Sequence, residues 1–172
     1  RAAAANLADL VAMGATPIGI TVGLGLPAHT HWSWLEALYQ GLKDCLEAHN
    51  SSIFGGDLCR ATQLNLSITA LGQVLPTEVI TRSSAVPGMT IVVTGAHGAS
   101  RAGLALLLEE LDFDDSAATD SPVKFAQSWI KAHQLPVPRF DALACLREII
   151  EQGEPETTVD ADKIAGMDSS DG

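Results

Sequence analysis

From Ala2 to Val74 the spacing of apolar residues switches back and forth between a helical period and strand alternation, and no single-class fold accommodates that order. Arg1 to Met13 is alanine-rich, with Leu7, Leu10 and Val11 on one helical face, and Gly14 is placed as a stop. Thr16 to Leu26 alternates and is rich in Ile and Val, as a strand does, until Pro27 ends it. Ser33 to His49 returns to helical spacing through Leu35, Leu38, Leu42 and Leu46. Ser52 to Phe54 reads as a short strand running into Gly55-Gly56-Asp57, and Gln63 to Val74 alternates through Leu64, Leu66 and Ile68. The small alanine side chains suit close packing of a helix on a sheet. The expected class is α+β, a mixed α/β arrangement, with parallel and hairpin-like strand pairing both open.

The character changes between Pro76 and Gly88, where a domain boundary is expected: residues 1–82 on one side, 83–172 on the other. Met89 to Thr94 has the composition of a buried strand, followed by Gly95-Ala96-His97-Gly98 and a helix over Ser100 to Leu111. Asp112 to Asp120 is an acidic loop. Ser121 to His133 and Phe140 to Gln152 are expected helices, separated by Pro136-Val137-Pro138. Gly153 to Thr158 is a polar loop, and Lys163 to Met167 leads into Asp168-Ser169-Ser170-Asp171-Gly172.

The 172 residues are 47% hydrophobic, enough for a packed core, and carry a formal net charge of -11. That charge argues against nucleic acid or an acidic membrane surface as a partner. Cys45, Cys59 and Cys145 are odd in number and widely spaced, so reduced thiols and a cytoplasmic setting are expected rather than a disulfide framework. No apolar run reaches the roughly 18 residues of a membrane helix. Both ends have the look of a cut, as in a piece of a longer chain.

Three acidic stretches carry the chemistry: Asn6-Leu7-Ala8-Asp9, Gly55-Gly56-Asp57 and Asp168 to Gly172. Each sets a carboxylate beside small residues, where backbone and ligand approach closely. Gathered carboxylates repel by about 4 kcal/mol per pair at ~4 Å and an effective dielectric of ~20, so a site that collects them wants cations. Hard oxygen ligands around Mg²⁺ usually accompany bound phosphates, which points to metal-assisted phosphoryl transfer from a nucleotide. Each stretch has a plainer reading: a solvated helix face for Asp9, a turn for Gly55 to Asp57, an Asx-type turn for Asp168 to Gly172. Gly95 to Gly98 suits an anion at a helix N-terminus or a tight strand–helix connection. Arg82 could fork onto phosphate oxygens or be a linker charge. Gly23-Leu24-Gly25-Leu26-Pro27-Ala28 imitates a dinucleotide fingerprint, but Pro27 falls inside it and the next helix starts too late. His29 and His31 lack a third ligand nearby.

Taken in order, these stretches resemble thiamine-monophosphate kinases, members of the ATP-binding superfamily that includes aminoimidazole ribonucleotide synthase. Asn6 to Pro17 resembles that family's Asn-Leu-Ser-Asp-Leu-Ala-Ala-Met-Gly-Ala-x-Pro, Gly55-Gly56-Asp57 its Gly-Gly-Asp, Arg82 to Gly88 its Arg-Ser-Gly-Ala-x-x-Gly, and Asp168 to Gly172 its Asp-Ile-Ser-Asp-Gly. The resemblance implies that Asp9, Asp57, Asp168 and Asp171 ligate Mg²⁺, and that Gly56, Asp57, Arg82 and Ser170 touch ATP. It implies ATP and thiamine monophosphate as substrates, with no side chain needed as acid or base. It further implies a ferredoxin-like N-terminal domain whose sheet pairs into a barrel in a homodimer, and a second α+β domain beginning near Ser83. Ala8 and Ser169 depart from the pattern, as does Gly98-Ala99 where the family has Gly-Asp. Two other readings stand beside this one: a superfamily member with another phosphate acceptor or a ligase activity, and a nucleotide-binding dimerisation module without turnover.

Overall fold

Helix α1 (Ala2–Ala12) buries Ala3, Ala4 and Leu7 and leaves Asp9 exposed. In the computed structural model, residues 1–111, 122–152 and 164–168 are described, with the backbone alone for 122–124. Gly14 reverses the chain after α1 with φ 73°, a left-handed conformation, and a Cβ there would meet the Glu78 carbonyl oxygen at 2.9 Å. Strand β1 (Thr16–Leu26) follows, then α2 (Trp32–Glu47), β2 (Ser52–Arg60) and β3 (Asn65–Gln73).

These strands form one mixed sheet in the order β2-β1-β3, with β1 parallel to β2 and antiparallel to β3. Parallel neighbours cannot be joined by a tight turn, so α2 supplies the crossover from β1 to β2. Ile20, Val22 and Leu24 alternate along β1 onto one face and meet Ala3 and Leu7 of α1 and Leu42 and Leu46 of α2. Full burial of a leucine such as Leu7 contributes about 1.5–3 kcal/mol, so this helix-covered face is where the unit is held together. On the opposite face β1 presents Thr21 and Gly23, flanked by the exposed Ser67 and Thr69 of β3.

A single 3-10 turn over Arg82–Ser84 precedes α3 (Ala99–Leu107), α4 (Pro122–Gln134) and α5 (Phe140–Gln152). Gly103 lets α3 approach α4: a Cβ there would run into the Trp129 carbonyl. Helix α1 is fastened to this second group at both ends. At its start the Arg1 guanidinium donates to the His133 carbonyl, and His133 Nδ1 lies 3.2 Å from Ser100 Oγ. Past its end Arg147 Nη2 donates to the Gly14 carbonyl at 2.7 Å.

The elements agree with the sequence periods to within a few residues, with two differences. Strand β2 runs on through Gly55-Gly56-Asp57 to Arg60, so this stretch is strand rather than the turn after one. The expected buried strand at Met89 to Thr94 is irregular, with Ile91 and Val92 exposed at 89% and 81%. An apolar run becomes a strand only beside a neighbour, and among the described residues none pairs with it. The acidic loop over 112–120, the polar loop over 153–158, and Ser169, Ser170, Asp171 and Gly172 lie outside the described residues. No helix among the described residues is long and apolar enough to cross a membrane.

Candidate metal and nucleotide site

The position of Asp57 is set by an irregularity in β2. Ile53 pairs with Ile20, but Gly55 pairs with Thr21, so Phe54 is an extra residue, a β-bulge. Without it the alternation would set Asp57 opposite Leu24, on the apolar face under the helices. With it Asp57 pairs with Gly23 on the open face. The two glycines make this possible. A Cβ at Gly56 would fall on the backbone of Val22, and Phe54 covers Gly19, where a Cβ would lie 2.7 Å from its ring. The Asp57 carboxylate accepts the Leu58 N–H at 2.9 Å, and Asp57 remains exposed.

Asp9 and Asp168 come together from opposite ends of the chain. The segment 164–168 crosses the end of α1 with Gly166 against Ala12, where a Cβ would meet the Ala12 carbonyl oxygen; it would also lie 2.7 Å from Ile80. That crossing brings Asp168 within electrostatic reach of Asp9. Loss of hydration against the protein pushes the Asp9 carboxyl above its ordinary range, and the negative charge of Asp168 pushes it further. Asn6, one turn before Asp9, turns inward on α1 and donates to the Ala2 carbonyl at 3.0 Å.

Arg82 opens the 3-10 turn two residues after buried Ile80 and is exposed. The turn is braced by Thr81, whose Oγ1 lies 3.0 Å from Ser83 Oγ and 2.8 Å from Ser84 Oγ. Gly98 caps the start of α3 in the left-handed conformation, φ 86°. Beside that loop stands Arg139, whose guanidinium is engaged with Asp141 through bonds of 2.8 and 2.9 Å. That pairing holds the Asp141 carboxyl down at about 2.

Of the sequence candidates, Asp9 and Asp168 are brought together, while Asp57 and Gly56 sit on β2 and Asp57 faces the open side of the sheet. Ser170 and Asp171 lie outside the described residues. Among the described residues no group of three or more His, Cys, Asp or Glu could hold a metal. Sequence reasoning passed over Arg147 and Glu78. Their contacts are to a backbone carbonyl and to each other, at 2.7 and 3.6 Å, and a lone Arg on a helix gives no signal of either.

Residues 1–74 match the family described as AIR synthase related protein, N-terminal domain. A thiamine-monophosphate kinase of Synechococcus elongatus is 46% identical over 172 residues, covering all of this chain and 48% of that protein. Among solved structures, the thiamine monophosphate kinase of Aquifex aeolicus superposes with a TM-score of 0.71 at 27% identity, over 84% of this chain and 46% of that one. The chain is similar along its whole length to thiamine-monophosphate kinases. It spans about half the length of the curated relatives it matches. A further solved structure, AaThiL complexed with AMPPCP and TMP, matches with a TM-score of 0.69 at 28% identity, over 83% of this chain and 43% of that one. The pattern by which the sequence resembles thiamine-monophosphate kinases thus falls on four structural parts: α1 with its glycine turn, the bulged strand β2, the 3-10 turn at Arg82, and, through Asp168, the segment crossing α1.

Proposed function

We propose that this chain is the nucleotide- and metal-binding part of an enzyme that transfers the γ-phosphoryl group of ATP to thiamine monophosphate, giving thiamine diphosphate. The observation that carries the reading is the meeting of Asp9 and Asp168, with the Asp9 carboxyl raised by lost hydration and further by the charge of Asp168. Two negative charges within reach of each other are a donor set a divalent cation neutralises. Mg²⁺ is commonly bound by only one or two carboxylates, with substrate phosphates completing its shell, so the pair fits that ion. The likeness to thiamine-monophosphate kinases, and the complex of AaThiL with AMPPCP and TMP, support these substrates.

In this reading Asp9 and Asp168, with Asp171, hold Mg²⁺, and Asp57 offers a further carboxylate from β2. When bound, the metal offsets the charge that gathers on the transferring phosphoryl group. The protein's own part is alignment. Gly56 keeps the β2 backbone clear of side-chain bulk, Arg82 forks onto phosphate oxygens, and Ser170 offers a hydroxyl to ATP. No acid or base is needed, because the acceptor phosphate is already ionised at neutral pH. The boundary between the two parts is set at Arg82 and Ser83; all three strands lie before it and α3, α4 and α5 after it. A homodimer whose sheets pair into a shared barrel, and a cytoplasmic location, complete the proposal.

The test is turnover of the full-length parent with single and paired replacements. Asp9→Asn and Asp168→Asn are each expected to lower kcat/KM by about 100-fold or more, an upper-range loss for removing a ligand at a charge-stabilising site. Both together should cost little beyond either alone, since residues serving one ion act as a unit. Near-normal turnover in either single variant would remove the metal assignment.

A further inference from the structure

Arg147 lies on α5, outside every acidic motif, yet it stands at the junction of the three segments that bring Asp9 and Asp168 together. Its Nη2 donates to the Gly14 carbonyl at 2.7 Å, at the turn that ends α1. The same nitrogen lies 3.6 Å from Glu78 Oε2, and two residues on the Ile80 N–H donates to the Met13 carbonyl at 3.1 Å. Ile80 in turn packs against Gly166. A cavity of about 90 Å³ is lined by Arg147, Leu143 and Ile150 of α5, by Glu78 and Ile80, and by Ile164 of the crossing segment. A cation at the carbonyl end of α1 is also favoured by the helix dipole.

We infer that Arg147 is a positioning residue that clasps the end of α1, the 78–80 segment and the 164–168 segment into one unit, and so keeps Asp168 beside Asp9. The inference rests on the proposed reading of those two aspartates as metal ligands. Gly14 is the hinge on which the clasp closes: its carbonyl takes the guanidinium, and its Cα side admits the Glu78 backbone. Because both Arg147 contacts come from one nitrogen, a lysine ammonium can stand in for it. A neutral side chain of similar length cannot.

The experiment uses the full-length parent with Arg147→Met and Arg147→Lys, read by hydrogen exchange and by Mn²⁺ titration. In Arg147→Met the amides of 164–168 and 12–14 should exchange about tenfold faster or more, with α2 and β1 unchanged, as in a local opening. Half-saturation by Mn²⁺ should rise about tenfold, the usual cost of losing a residue that orients metal ligands. Arg147→Lys should return both readouts most of the way. Unchanged exchange at 164–168, or an equal acceleration across β1 and α2, would overturn the clasp. Faster exchange confined to these segments in a protein whose unsubstituted form binds no Mn²⁺ would uphold the clasp and remove the metal reading instead.

Discussion

At the scale of single residues, the most constrained position is Gly56. It pairs with Val22, and any Cβ there would occupy the space of the Val22 backbone, which cannot rotate away as a side chain would. Gly56→Ala is therefore expected to destabilise the protein by about 3 kcal/mol, the upper end for forced overpacking, through separation of β2 from β1. Chemical denaturation measures this, and an alanine variant as stable as the parent would show that β2 pairs differently. Gly55, one residue earlier, has nothing within 4 Å of a Cβ, and its demand for glycine comes from its backbone instead, φ 156°. The Gly-Gly pair thus contains one residue fixed by contact and one that is not. The sequence marked both glycines as suited to close approach, but it could not say that the approaching group is a neighbouring strand.

At the scale of elements, the coupling of α1 to the 164–168 segment has a signature in pH. The Asp9 carboxyl is raised in the folded state above its unfolded value, so between those two values the folded protein binds more protons. Stability at this position is accordingly lowest near neutrality and is recovered as pH falls through the raised value. Metal-free Asp9→Asn should be more stable than the parent at pH 7, with a difference that shrinks on acidification; an unaltered pH slope would mean that Asp9 is neither desolvated nor approached by Asp168 in solution. Asp141 acts in the opposite sense and in a lower window: held down at about 2 by Arg139, it supports the start of α5 above its ordinary value and loses that support in acid. Elements with a strong period of their own were legible. Helix α5 spans Phe140–Gln152 as expected, and β1 spans Thr16–Leu26. Strand β2 was read too short because its glycines interrupt the apolar alternation, while pairing with β1 carries it onward. Met89 to Thr94 was read as strand from composition alone, and composition does not supply a neighbour.

At the scale of the whole molecule, the sheet and two helices form one packed face, and the remaining helices tie back to α1 through Arg1 and Arg147. The ordered acidic motifs made the likeness to thiamine-monophosphate kinases legible before any coordinate. What they could not convey is that Asp57 faces the open side of the sheet while Asp9 and Asp168 meet at the end of α1, because sheet face depends on one bulged residue and the meeting depends on contacts between distant segments. The proposed division of labour is thus a carboxylate pair made by the fold, a carboxylate aimed by a bulge, and a clasp that holds the pair. The most direct measurement is ATP-dependent formation of thiamine diphosphate from thiamine monophosphate by the full-length parent, with and without Mg²⁺. Product that appears only with the metal is expected. Product formed equally well without a divalent cation, or no product despite binding of Mg·ATP, would contradict the proposed phosphoryl transfer.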